Sequence, residues 1–444
     1  MVNLENKFFP PISDKQVKVV ILITIPFLLV DSLINTVSDF LVHQTTSIWG
    51  ISFFVVVGIV YAVSQQLLLR FVWNKTKDIR SKSLVIRRLL KTITVAQYSL
   101  LGILIIILFQ ILFMSHYNTS LLIWSTVISL LMSILVLGFL ARQLFLWYKS
   151  NKGNSLIILS YALAFAIMTV TFSAGLILDL YNYSGKPEIV TAKSEVNFAD
   201  YDKVNWLVHS VYYIYNYSDL VSFILIWGAT ALLLLNYRRR LGVVKFWIII
   251  TLPLIYYLSV FVDVLGIYEP QTDSEKFYYY SYYSLNATVG GILFGLAFIV
   301  IAKRIDNQSI KGFMTLTAYG FVLLYISNVI SLAARSYPPY GIATLSISGL
   351  SSFLLLAGLY STAVILSKHA ELRKSIRNSI EGQQSKLLDH IGMSEVQRDI
   401  DRKINPLIER YAEEMNTQSS VDISISKEEV KQYINEILRD LHKK

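Results

Sequence analysis

Ser336-Tyr337-Pro338-Pro339-Tyr340-Gly341 leads directly into Ile342-Ala343-Thr344-Leu345-Ser346-Ile347-Ser348-Gly349-Leu350-Ser351-Ser352-Phe353-Leu354-Leu355-Leu356-Ala357-Gly358-Leu359-Tyr360-Ser361-Thr362-Ala363-Val364-Ile365-Leu366, and this stretch decides the fold. Each proline fixes φ and removes a backbone donor, so the first six residues read as a rigid turn. The uncharged run from Ile342 to Leu366 matches the roughly 20 residues that cross a bilayer core. No breaker follows. Ser367-Lys368-His369-Ala370-Glu371-Leu372-Arg373-Lys374-Ser375-Ile376-Arg377 reads on as amphipathic helix. The sequence therefore predicts one continuous rod joining the lipid to the aqueous compartment beyond it.

Working outward, similar apolar runs fill the 336 residues before that turn's Tyr337. Ten spans are predicted, at 17–35, 48–70, 92–114, 121–140, 156–176, 218–236, 244–265, 285–305, 312–333 and 342–366. Hydrophobic residues make up 54% of the 444, charged residues only 16%, and mean hydropathy is +0.52, which argues against a soluble fold. The loops after even-numbered spans are basic: Arg70 to Lys91, Arg142 with Lys149 and Lys152, Arg238-Arg239-Arg240, and Lys303-Arg304 with Lys311. Those after odd-numbered spans are neutral or acidic. Basic loops resist translocation, so the pattern predicts both termini in the cytoplasm of a plasma-membrane protein. The first span reads as a signal anchor rather than a cleaved leader. The predicted organisation is all-α: a cytoplasmic segment 1–16, a transmembrane bundle 17–368 and a cytoplasmic helical tail 369–444.

Several function classes drop out. Cysteine is absent, which removes disulfides and thiolate chemistry. The net charge of +10 does not point to nucleic acid, because the tail from Lys368 to Lys444 holds 14 basic and 14 acidic residues and the excess sits in short loops. No phosphate-binding loop, nucleophile elbow or zinc-protease helix is present. His43, His116 and His209 come from separate outer segments without ligand spacing, so no metal site is expected. No cofactor and no catalytic site are predicted.

Ionisable residues beside spans are candidate functional groups. Asp31, Asp219 and Asp263 map to the outer ends of spans with His209 and Arg335, and Asp31 lies deepest. With Tyr213 and Tyr279 from two tyrosine-dense segments they outline an outer, acidic, tyrosine-rimmed ligand pocket suited to a cation or amine. Acids tolerated in water and an aromatic belt at headgroup level explain the same residues. Gly291, Gly295, Ser348 and Ser352 place small residues on single helix faces, as helix-packing seams require. Glycine in every even-numbered span fits either a hairpin repeat or the general abundance of glycine in membrane helices. Gln110 and Asn328 suit a neutral pore or ordinary interhelical hydrogen bonds. Asn118, Asn182 and Asn286 stand in glycosylation sequons on the outer side.

In the tail, Leu372, Ile376, Ile380, Leu387, Ile391, Val396 and Ile400 recur at helical steps, with Gly392 as an interruption and Pro406 as a bend. Ser426-Lys427-Glu428-Glu429 forms a capping box for a last helix. These stripes predict a cytoplasmic protein partner or self-association through 369–444, or equally a hairpin folded back against the bundle.

The Pro338-Pro339 turn, Gly349-Leu350-Ser351-Ser352, Gly358-Leu359-Tyr360-Ser361 and the Leu372-Arg373-Lys374-Ser375-Ile376-Arg377 exit together resemble the C-terminal part of uncharacterised polytopic membrane proteins of archaea, over roughly residues 330–395. The resemblance implies a multi-pass archaeal plasma-membrane protein with a cytoplasmic helical tail, and carries no activity with it. The expected function is a non-enzymatic sensor or signalling scaffold that couples the outer pocket to the tail. A facilitator or channel for a small cation or neutral solute is the alternative.

Overall fold

In hydrocarbon a backbone must satisfy its own N–H and C=O groups, and a long apolar run does so as a helix. The computed structural model describes residues 14–77, 84–150, 155–194, 206–264, 272–328, 337–369, 373 and 386–400. Its long helices are α1 (Asp14–Val37), α2 (Ile48–Lys75), α3 (Leu84–Met114), α4 (Thr119–Ser150), α5 (Leu156–Ser184), α6 (Trp206–Leu234), α7 (Val243–Val264), α8 (Asp273–Lys303) and α9 (Gln308–Asn328). A short α10 (Ile342–Ser346) and α11 (Ser348–Lys368) follow, and 386–400 is helical and is called α12.

Nine helices among the described residues are long and apolar enough to cross a membrane: α1 to α6, α8, α9 and the α10–α11 pair. The seventh predicted span is helical as α7, and its apolar described part is shorter, Val243–Ser259. The chain is an all-α, multi-pass helix bundle.

The last span sits at the centre of the bundle. Every residue from Ile342 to Ala363 is buried. α11 packs against α9 and α4 and touches α2 and α3, while α10 touches α1, α2, α3, α4 and α9. Close approach depends on glycine. A Cβ at Gly358 would lie 2.6 Å from the Phe313 carbonyl oxygen, and one at Gly320 would lie 2.7 Å from the Leu355 nitrogen. The α8–α9 seam repeats the device: Gly291 faces Tyr325, and Gly295 faces Val322 and Ala318. Small residues let helix backbones meet where lipid supplies no hydrophobic drive for association.

The bundle departs from the sequence expectation in four places. First, the ends next to the neutral loops are helical well beyond the predicted spans. α5 runs on to Ser184, α6 begins at Trp206, and α8 begins at Asp273, where Thr272 and Glu275 form a capping box. The tyrosines expected in loops therefore ride on helices. Second, two connections on the same end of the bundle pair as an antiparallel ribbon, β1 (His116–Asn118) with β2 (Ile189–Thr191), in the register Tyr117 opposite Val190. Third, the tenth span is divided at Ile347 into α10 and α11. Fourth, the predicted rod stops. α11 ends at Lys368 and His369 is extended, with φ −121° and ψ 90°. The Arg373 guanidinium turns back onto the Leu366 and Ser367 carbonyls at 2.5 and 3.1 Å, satisfying acceptors that a continuing helix would have used. α12 then lies against the bundle, with Leu387, Leu388 and Ile391 in the main core. The capping box at Ser426 and the bend at Pro406 lie outside the described residues.

Candidate functional site

Three polar sites cluster along the central helix. At its N-terminal end, Gly341 adopts φ +91°, and a Cβ there would lie 2.9–3.1 Å from Asn35, so glycine alone fits. This turn presents the first N–H groups of α10 to a carboxylate from a helix more than 300 residues earlier. Asp31 Oδ1 accepts from the Gly341 N–H at 2.9 Å and Oδ2 from the Thr344 N–H at 3.1 Å. The Thr344 hydroxyl lies 2.8 Å from Oδ2. Asp31 thus serves as a remote N-cap, with the helix dipole favouring its charge. Tyr340 Oη donates to the Gly50 carbonyl at 2.6 Å, and the Tyr337 ring stacks on Tyr117 of β1. The turn is tied to α1, α2 and the ribbon at once.

At the Ile347 break the freed backbone meets side-chain amides. Gln97 Nε2 donates to the Ser346 carbonyl at 2.9 Å, and Gln65 Nε2 donates to the Gln97 carbonyl at 2.6 Å. Tyr61 Oη reaches Gln97 Oε1 at 3.4 Å. On the other side, Ser133 Oγ lies 3.0 Å from both Ser348 Oγ and the Ser129 carbonyl. Ser352 Oγ donates to the Ser348 carbonyl at 2.9 Å. The belt is buried and neutral. Gln65 Oε1 and Ser129 Oγ find no hydrogen-bond partner among the described residues.

At the C-terminal end of the central helix, buried Glu395 of α12 faces α4. It accepts from Trp147 Nε1 at 2.9 Å and from Arg398 at 3.1 Å, with Gln143 Nε2 at 3.4 Å. Ser394 Oγ donates to the Trp147 carbonyl at 2.8 Å. The Trp147 ring lies almost parallel to Tyr360 of α11, 6.4 Å away. Gly392 is a point of close approach rather than an interruption: a Cβ there would lie 2.8 Å from Leu366 Cβ. Burial lowers the His390 pKa, the adjacent Asp389 opposing it.

Among the described residues, the predicted pocket residues make separate contacts of their own. Asp31 is engaged by the α10 turn. Asp219 of α6 accepts from the Tyr257 hydroxyl of α7, whose ring stacks on Phe223 at 3.7 Å. His209 and Tyr213 do meet, edge to face at 4.7 Å, on an α6 stripe that continues to Tyr217. Tyr279 packs against Tyr280 on α8. Asp263 lies in the last turn of α7, and Arg335 lies outside the described residues. Of the sequons, Asn118 is in β1, Asn182 ends α5, and Asn286 is buried within α8, where a glycan has no room.

Sequence reading missed Gln97, Gln65, Trp147 and Glu395. The amides stood out only as polar residues inside apolar runs. Ser125, Ser129 and Ser133 fall four apart, so they share one helix face, and that signal was legible. Nothing local marks Glu395. No family model, curated protein or solved structure matches this chain.

Proposed function

We propose that the chain is a non-enzymatic membrane sensor or signalling scaffold whose output element is the docked helix α12. The observation that carries this reading is a pair of buried carboxylates: Asp31 caps the first turn of the last span, and Glu395 holds α12 against Trp147 of α4, whose ring lies beside Tyr360 of that span. A change that loosens the outer turn shifts α10 and α11, and α11 contacts α12 through Leu366. The input is an outer-face event at the turn and its ribbon. The output is release of a helix whose apolar face, Leu387, Leu388 and Ile391, then becomes available to a partner or a second copy. The basic loops support a cytoplasmic position for this end.

The absence of cysteine allows a direct test. Spin labels at Lys386→Cys on α12 and Arg240→Cys report the docked distance by pulsed electron resonance in lipid nanodiscs. Glu395→Gln should broaden the distance distribution. Asp31→Asn, at the far end, should broaden it too in protein that remains folded. A distribution unmoved by Asp31→Asn overturns the coupling.

The neutral belt at Ile347 favours a second reading, a facilitator for a neutral solute. A polar, uncharged helix break inside a bundle is the kind of site that transporters use. Saturable flux of a small neutral solute in liposomes, lost in Gln97→Leu, would move the assignment to transport.

A further inference from the structure

A groove of about 880 Å³ opens on the side of the bundle between α4 and α5. Its floor exists because the facing residues are small: Gly138 and Ala141 on α4 oppose Ala166 and Thr169 on α5, and a Cβ at Gly138 would touch only the Thr169 side chain, 3.8 Å off. Gly138, Arg142 and Lys149 follow one another along a single stripe of α4, so the groove is apolar at its deep end and carries two exposed cations towards its mouth. From Gly138 to Lys149 the helix rises about 16 Å at ~1.5 Å per residue, close to half of a bilayer core of about 30 Å. The mouth lies on the basic side of the bundle.

We propose that this groove is a binding site for an anionic phospholipid of the basic-side leaflet. One acyl chain lies along the Gly138–Thr169 floor, and the phosphate headgroup is held by Arg142 and Lys149. Arginine and lysine bury their apolar stems along the wall while the charged heads reach headgroup level. A second groove, of about 350 Å³ and lined by Leu156, Gly228 and Trp247 among others, has no charged residue, and serves as an internal contrast. It admits a lipid tail with no preference for the headgroup. The charged site also adjoins the dock, because Gln143 and Trp147 stand on the same turns of α4 as Arg142 and Lys149. The lipid site rests on the membrane reading of the bundle and stands independently of the signalling reading.

The test is photo-cross-linking of full-length protein in mixed nanodiscs, with phosphatidylglycerol and phosphatidylcholine analogues that carry a diazirine in the acyl chain, mapped by mass spectrometry. Cross-links on α4 and α5 around Phe145 and Ala166 should favour phosphatidylglycerol on the order of tenfold. The Arg142→Gln/Lys149→Gln variant should lose that preference while its melting temperature is kept. Gly138→Leu with Ala166→Leu should reduce labelling by both lipids. Equal labelling in the native protein overturns the proposal. So does a preference that survives the double charge variant, which would assign the anionic lipid to other basic loops. Labelling by neither lipid would mean that another part of the chain fills the groove, and would equally overturn it.

Discussion

Asp31 shows how a single side chain sets the position of a helix. Its carboxylate takes two backbone N–H groups that would otherwise lie unpaired in the bundle interior, where an unmet donor is costly, and it shares the Thr344 hydroxyl with the Leu28 carbonyl. Asn at this position keeps one acceptor and turns an NH2 towards the donors. Asp31→Asn should therefore cost roughly 1–3 kcal/mol, some of the loss offset because a buried charge is removed. Denaturant or thermal unfolding in detergent measures it, and an unchanged midpoint would show that the turn holds without the cap. Gly341→Ala adds a Cβ both to a left-handed residue and against Asn35, and should cost at least about 1–2 kcal/mol. The sequence marked Asp31 as the deepest of the acids expected on the outer side. Its partners, lying beyond residue 340, were invisible because capping across helices leaves no local spacing.

At the scale of elements, α11, enclosed from Ser348 to Ala363, depends on backbones that approach more closely than any side chain permits. Leucine at Gly358 would push into Thr317 and the Phe313 carbonyl, and overpacking of that kind costs about 1–3 kcal/mol or more. Loss of the folded fraction in size-exclusion chromatography is the expected result. The dock of α12 is expected to respond to pH. Burial lowers the His390 pKa from its ordinary value of 6.5, so the undocked helix binds the proton more readily. Docking is thus favoured while the pH stays above about 6.5 and weakens as it falls through and below that value. The protection of 386–400 against hydrogen exchange, taken relative to the intrinsic amide rate at each pH, should fall between about pH 7.5 and 5.5, and His390→Gln should flatten that dependence. Protection that stays constant over this range in the native protein would contradict this. Helix existence was legible at this scale because apolar length alone forces it. Helix ends were not, since the tyrosine-rich outer ends are amphipathic enough to read as loops, and only the Thr272-to-Glu275 capping box gave a local sign of where α8 begins.

For the whole molecule, sequence by itself determined an all-α, multi-pass bundle, the alternation of basic and neutral loops, and the primacy of the last span. Those properties follow from residue-by-residue transfer between water and lipid, which needs no knowledge of neighbours. Tertiary structure alone decided that the last span is central and broken at Ile347, that its outer turn is capped by Asp31, and that the exit helix ends at Lys368 and gives way to a docked α12. Apolar periodicity in 372–400 fits a rod, a partner surface or a folded-back helix equally well, because each buries the same stripe. What separates them is the surface on offer: Leu366 at van der Waals range of Gly392, and Trp147 placed to hydrogen-bond a carboxylate. A buried polar group takes whichever partner the packed bundle brings to it, and that choice is made between helices rather than along the chain.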